Sequence, residues 1–499
     1  MQDKPQAQES LTRGYFWSFG ATALPLISAF FSSLIIARFM GPEVIGLINW
    51  TMAAATILLI FAKFGVDGAS SRLISEFAVS DRSAVRRIVR DAFNLRLLFT
   101  LPVAVLTYFI SARLSVFFHE EMLTPLFKLA SLLIIAVSFN ELAGLMVLGL
   151  KAFKALFVMR FAMLVLKVSL VFLAARLALG PMGVLAGYIT AAALPAIGVL
   201  ALLFSYRAEG ERQGTTHTYE FSKLIKLSSY LAVSGASVTI YSLLDKLMLG
   251  YFKGAIDVGL YSMARNMVET SLFPTFALIM TLRPALAQSF TSHRLERSSY
   301  LINRSVRSSF VYSMVVAVVF FTLSRPLMVG LFGPAFAPSA RLLVLFLPLI
   351  VMRCVGAVIL PGLIAADRAG SYAILTSIGA ILNFAFNYFF IPIWGAGGAV
   401  AATLLSYLPI ELIGFVILVR AIPGSWSFGI VRLMAGSFAV SALFAVLFRL
   451  SRLNPTNLVE AVAYGTILVV VLFASFIVLK IISKEEIDSL FRPLIFWSR

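Results

Sequence analysis

The stretch FKGAIDVGL, residues 252–260, is nearly a copy of FMGPEVIGL at residues 39–47. Phe39, Gly41, Gly46 and Leu47 reappear as Phe252, Gly254, Gly259 and Leu260, each displaced by 213 positions. A chance match would not persist at that displacement, and this one does. Gly149-Leu150 maps onto Gly362-Leu363, and GPMGVLAGY at 180–188 maps onto GAGGAVAAT at 395–403 with a drift of only two residues. There Gly180, Gly183 and Ala186 meet Gly395, Gly398 and Ala401. Three anchors in the same order indicate a duplicated lobe. Within each copy, the first glycine is expected to make a tight turn and the second to begin the next helix. Inherited turn chemistry explains that much, and the turns could also form part of a gate.

The solvent around these copies is lipid. Of 499 residues, 60% are hydrophobic and 13% charged, with mean hydropathy +0.95, whereas about a quarter of an ordinary soluble chain is charged. Apolar runs long enough to cross a bilayer, about 20 residues each, recur from end to end, and about fourteen are expected. Backbone groups inside lipid must be satisfied internally, so the spans are helical. The fold class is therefore an all-α polytopic membrane protein. It has two parallel six-helix lobes related by a pseudo-two-fold axis along the membrane normal, plus two C-terminal helices. The expected divisions are a tail at 1–14, an N-lobe at 15–206, a polar linker at 207–223, a C-lobe at 224–420, and a last segment at 421–499 with two spans and a tail.

A net charge of +18 suggests nucleic acid as a partner, but the placement of the cations argues against it. Arg82, Arg86, Arg87 and Arg90 form one cluster, Arg207, Arg212, Lys223 and Lys226 a second, and Arg294, Arg297, Arg304 and Arg307 a third. All fall in connections on one side of the membrane, as the positive-inside rule requires of cytosolic loops. Both termini are then cytosolic, the C-terminal one carrying Lys480, Lys484 and Arg492. The first span is too long for a cleaved signal peptide. Cys354, the single cysteine, allows no intrachain disulfide and no cysteine-rich metal site. His119-Glu120 begins like a zinc-protease motif, but Leu123 stands where the second histidine would be. No phosphate-binding G-x-x-x-x-G-K-[ST] loop occurs, and no cofactor is expected.

Four segments carry a resemblance: ARFMGPEVIGLINW at 37–50, FGVDGASSRLISE at 64–76, LDKLMLGYFKGAIDVGLYSMARN at 244–266 and NYFFIPIWGAGGAVAATLLSY at 387–407. In order and spacing the chain resembles the oligosaccharide flippases, or polysaccharide transporters, of the multidrug/oligosaccharidyl-lipid/polysaccharide exporter superfamily. The resemblance implies movement of a polyprenyl-pyrophosphate-linked oligosaccharide from the cytosolic to the outer leaflet of a bacterial inner membrane, with no enzymatic step. It also implies alternating access and glycosyltransfer or polymerisation proteins nearby, in surface polysaccharide synthesis. The chain itself is expected to act as a monomer.

Ionisable groups inside spans are costly and are functional candidates by default. A substrate with two phosphates calls for a wet, cationic cavity, where arginine can grip phosphate through paired hydrogen bonds. Arg265, Arg353, Lys63, Arg96 and Asn140 are the expected substrate-binding residues. Asp67, Glu141, Asp245, Lys246 and Glu269 are the expected coupling or gating residues. Glu269 is one helical turn from Arg265 and fits an intrahelical pair. Arg353 falls 213 positions after Asn140, beside Glu141, which suggests either two walls of one cavity or a structural pair linking the lobes. Lys63 and Asp67, four apart, could attract a pyrophosphate or pair with each other. Asp245-Lys246 matches the resembled family's acid–base step before the turn, although Lys246 could equally snorkel to the interface. Lys128 and Lys167 are left out of the site. A lipid II flippase would use the same chemistry on another glycan. A cation-coupled multidrug exporter of the same superfamily would favour embedded acids. A membrane glycosyltransferase or polymerase would need a sizeable non-membrane loop or an acidic metal motif, and neither is present.

Overall fold

The computed structural model describes residues 4–78, 81–205, 219–292, 294–426, 428–451, 455 and 457–479. Most of the expected linker and the C-terminal residues 480–499 therefore lie outside the described residues. The described residues are helical apart from short turns and connections, without strands. Among the described residues, eleven helical segments are long and apolar enough to cross a membrane, or twelve when the bent pair Ala255–Ser271 and Phe273–Thr291 is counted as one span. Their outward surfaces are apolar: Phe109 is 76% exposed, Leu202 72% and Ile381 70%. Soluble monomers rarely expose contiguous apolar faces of that kind.

The chain divides into two compact units, Met1–Gly259 and Leu260–Arg499. In the first, α1 (Lys4–Lys63) is two helices joined at Gly41, whose φ of 84° and ψ of −178° are not helical. Pro42 follows at the first position of the new helix, where its missing N–H costs nothing. Then come α2 (Val66–Phe77), α3 (Arg82–Phe118), α4 (Leu123–Gly149), α5 (Phe153–Arg176), α6 (Gly180–Ser205) and α7 (Phe221–Lys253). Their core joins Val66, Leu73, Ile88, Leu142 and Met146. The same unit holds the start of α8 (Ala255–Ser271), which brings the second copy of the opening motif against the first. A Cβ on Gly46 would overlap the carbonyl of Ala255, and a Cβ on Gly259 would overlap that of Pro42.

The second unit contains α9 (Phe273–Thr291), α10 (Leu295–Phe332), α11 (Ser339–Leu345), α12 (Leu347–Gly356), α13 (Ile359–Ala365), α14 (Ala369–Trp394), α15 (Ala396–Ala421), α16 (Phe428–Leu450) and α17 (Leu458–Val478). The last two pack on α10 through Leu433, Leu468, Leu472 and Phe476 against Phe310, Val311, Met314 and Val318. The apolar stretch 339–365 is three short helices, of which α12 and α13 together, Leu347–Ala365, make one stretch long enough to cross a membrane. Pro348, at the start of α12, has no N–H to continue the ladder, and Gly356 ends it.

Duplication is written in the backbone as well as the sequence. Gly254 has φ 84° and ψ −175°, nearly the values of Gly41. The positive-φ residues His119, Lys151 and Gly180 likewise have counterparts in Gly333, Asp367 and Gly395, at displacements of 214 to 216. The copies differ at their second helix. The first breaks at Phe64 (φ 43°) and Gly65 (φ 67°), the second at Leu272 with a 42° bend.

Candidate functional site

In the first unit, five ionisable groups from five helices gather around the Phe64–Gly65 break. Arg96, on α3, is fully buried and donates from its Nη2 to Asp67 in the first turn of α2, itself 8% exposed. The Nε and Nη1 of Arg96 are buried without a hydrogen-bond partner. One turn along α3, the Thr100 hydroxyl lies 2.8 Å from that of Ser138 on α4. Lys63 pairs with Glu141 rather than with Asp67. The left-handed break between Lys63 and Asp67 removes the shared helical face that a four-residue spacing would otherwise create. The charge of Glu141 also acts on Arg96 and on Arg160 of α5, whose Nη1 donates to the Ala21 carbonyl at 2.8 Å. The cluster holds three cations and two acids, so it carries excess positive charge inside an apolar helix bundle. Arg160 was missed in the sequence because it lies within two turns of a helix start, where snorkelling is the simpler reading.

The other sequence candidates of this unit have different surroundings. Asn140 is buried and donates its Nδ2 to the Ala192 carbonyl at 2.8 Å, tying α4 to α6. Asp245 is 1% exposed, and the Lys246 Nζ is 3.5 Å from Asn49 Oδ1. Both lie one turn before Gly250, whose absent Cβ makes room for the indole of Trp50. Lys167 rests over the Tyr188 ring, 4.0 Å from its centroid, and Lys128 is 5.8 Å from that of Tyr108.

In the second unit, Arg265 is buried. Its Nε donates to Glu269 Oε1 at 3.0 Å and its Nη1 to the Tyr261 hydroxyl at 3.0 Å, so the intrahelical pair is formed. Arg353 lies over the Tyr407 ring, 5.7 Å from its centroid. It lines a cavity of about 130 Å³ with Arg283, Tyr372, Tyr407 and Glu411. The Glu411 carboxylate sits on Gly356, where any Cβ would overlap it. Arg283 and the two tyrosines add to what the sequence suggested. Arg283 follows directly on the apolar run FPTFALIMTL at 273–282, and tyrosine signals no particular role in an aromatic-rich chain.

At the cytosolic end expected from the charge distribution, Asp81 caps α3 by accepting from the backbone N–H groups of Ser83 and Ala84 at 2.9 and 3.0 Å. The Ser83 hydroxyl bond, with those two, holds the Asp81 carboxyl below its ordinary range. Tyr219 donates to Asp91 at 3.0 Å, and burial first, then Asp91, pushes its phenol up.

The family described as polysaccharide biosynthesis protein matches residues 11–290, more than half of the chain. The chain belongs to the polysaccharide biosynthesis protein family. A similar protein is the probable low-salt glycan biosynthesis flippase of Haloferax volcanii, 25% identical over 184 residues, covering 37% of this chain and 39% of that protein. The lipid II flippase MurJ of Bacillus subtilis is 27% identical over 282 residues, covering 50% and 51%. These matches span about two-fifths and about half of the relatives' lengths. Among solved structures, a lipid II flippase MurJ in an inward closed conformation aligns with TM-score 0.72 at 13% identity, covering 96% of this chain and 100% of that one. An inward-facing multidrug resistance transporter of the MATE family aligns with TM-score 0.66 at 13% identity, covering 82% and 98%. At such identities the likeness defines the fold of this polysaccharide biosynthesis family member, an all-helical, two-lobed membrane architecture.

Proposed function

We propose that the chain is a flippase that moves a polyprenyl-pyrophosphate-linked oligosaccharide from the cytosolic to the outer leaflet of a bacterial inner membrane by alternating access, with both termini in the cytosol. The observation that carries this reading is Arg96: a fully buried guanidinium, one edge on Asp67, with Nε and Nη1 uncommitted. Burying a cation this way costs several kcal/mol unless its remaining donors find acceptors. Phosphate oxygens satisfy them in the geometry arginine favours. Lys63 and Arg160 stand nearby in the first unit, and the second unit has a cationic cavity of its own, lined by Arg353 and Arg283. Asp67 and Glu141 offset the cations of the first unit, and Glu269 and Glu411 lie beside Arg265 and Arg353 in the second. One relative is named a probable low-salt glycan biosynthesis flippase and the other a lipid II flippase, and both names agree with a flippase reading.

A lipid II flippase is the second reading, because the same phosphate chemistry serves a different glycan and one relative carries that name. The test is transbilayer movement in proteoliposomes of a polyprenyl-pyrophosphate oligosaccharide and, separately, of lipid II. Wild type is compared with Arg96→Ala, Arg265→Ala and Arg353→Ala at matched protein levels. Protein-dependent movement lost in Arg96→Ala and Arg353→Ala supports the cationic site. Unchanged movement in all three variants removes it, and ion-driven export of organic cations instead would replace the flippase reading altogether.

A further inference from the structure

The sequence concentrates arginine at one end of α10, with Arg297, Arg304 and Arg307 in its first half, but Arg325 stands alone near its other end. Eighteen residues separate Arg307 from Arg325, about 27 Å along a helix axis, close to the ~30 Å of a hydrocarbon core. Arg325 is therefore at the opposite membrane interface from the basic cluster. That is the side where the positive-inside bias leaves few cations.

Arg325 is not alone in space. It shares a cavity of about 1050 Å³ with Arg341 of α11, walled by α10, α11 and α16. The rest of the lining is chiefly apolar, with Phe321, Val344, Leu345 and Phe448, and it contains no acid. Both arginines are exposed, and among the described residues neither has an ion pair. A single arginine near an interface is accounted for by snorkelling. Two, without a carboxylate between them, at the rim of an apolar cavity of ligand size, call for an anion attached to a hydrocarbon chain. A carboxylate's two oxygens are met by one guanidinium fork, whereas a phosphate has further oxygens for a second.

We propose that this cavity binds the phosphate headgroup of a membrane lipid, gripped by Arg325 and Arg341, with its chain lying along Phe321, Val344, Leu345 and Phe448. The site is distinct from the buried cluster around Arg96, and its test contains no glycan, so it stands or falls separately from the transport reading.

Binding to the purified full chain in detergent is measured by titration calorimetry with four probes: dioctanoyl phosphatidylglycerol, farnesyl pyrophosphate, dioctanoylglycerol and inorganic pyrophosphate. The two phosphate lipids are expected to bind wild type, and at least ten-fold more weakly the Arg325→Ala/Arg341→Ala chain. The Arg325→Lys/Arg341→Lys chain should fall between, and Val344→Trp, which fills the cavity, should weaken binding with both arginines present. Whichever phosphate lipid binds more tightly identifies the source, bulk phospholipid or a prenyl pyrophosphate. Equal binding by wild type and the double alanine chain would overturn the proposal. So would dioctanoylglycerol binding as well as its phosphate counterpart, or pyrophosphate binding as tightly as its farnesyl ester. Matched melting temperatures for the lysine and tryptophan variants keep the result readable if the double alanine chain folds poorly.

Discussion

Gly259 lies against the carbonyl of Pro42, and Gly46, its counterpart 213 residues earlier, lies against the carbonyl of Ala255, the counterpart of Pro42. Each copy of the motif presents the same patch to the other, the reciprocal pattern of a two-fold contact. The glycine types divide the work. Gly41 and Gly254, with open space around them, are there for a left-handed φ, whereas Gly46 and Gly259 are there for the room a missing Cβ leaves.

Replacing Gly46 or Gly259 by alanine should force the two helix starts apart, at a cost of about 1–3 kcal/mol to the closed crossing. With spin labels at Phe39→Cys and Phe252→Cys in a Cys354→Ser chain, either alanine variant should lengthen the measured distance. Gly41→Ala should lower the melting temperature through backbone strain, with no direct overlap at the crossing. An unchanged distance in both Gly46→Ala and Gly259→Ala would mean that the crossing does not depend on these contacts.

Removing Arg96 alone strands the buried Asp67 carboxylate, and Arg96→Ala should destabilise the chain by about 3–5 kcal/mol. The double replacement Arg96→Met/Asp67→Leu should recover most of that stability while leaving transport abolished. Lys63 and Glu141, with side chains 28% and 41% exposed, are less buried than Arg96 and Asp67, so Lys63→Ala/Glu141→Ala should cost less stability than Arg96→Ala. Thermal unfolding in detergent, paired with the flipping assay, separates these outcomes.

Gly356→Ala should push the Glu411 carboxylate from its seat. The expected result is a lower melting temperature in the single variant and partial recovery in Gly356→Ala/Glu411→Ala, where the smaller side chain restores the room. A single variant that melts like wild type would show that Glu411 has another place to go.

Asp81→Ala should cost about 0.5–2 kcal/mol, the range of a lost helix N-cap. Because the folded state holds the Asp81 carboxyl below its unfolded value, the cap contributes fully above that unfolded value, about 3.9. Its contribution disappears as pH falls through the lower folded value. Hydrogen exchange at the Ser83 and Ala84 amides should therefore show extra opening at acid pH in wild type and no such pH step in Asp81→Ala.

The duplication and the polytopic helical class were legible because turn glycines and apolar runs are local features that survive in one dimension. Partner choice was not. Lys63 and Asp67 look like a helical pair, and nothing in Phe64 announces a left-handed residue, since aromatic side chains seldom adopt it. The split of residues 340–365 into three helices was signalled by Pro348 and Gly356, but mean apolarity outweighed both. Arg265 with Glu269 followed from spacing alone, whereas Arg353 with Tyr407 and Glu411 joins helices far apart in sequence.

The Gly41 and Gly254 turns have an electrical consequence. Each starts a new helix, so the crossing brings two helix N-termini together, each with partial positive charge from unpaired N–H groups. Glu43 and Asp257 stand in those first turns and offset the two macrodipoles where they approach. Positive ends that would otherwise repel can thus be stacked at van der Waals separation, and closure of the crossing is governed by shape more than by ionic strength.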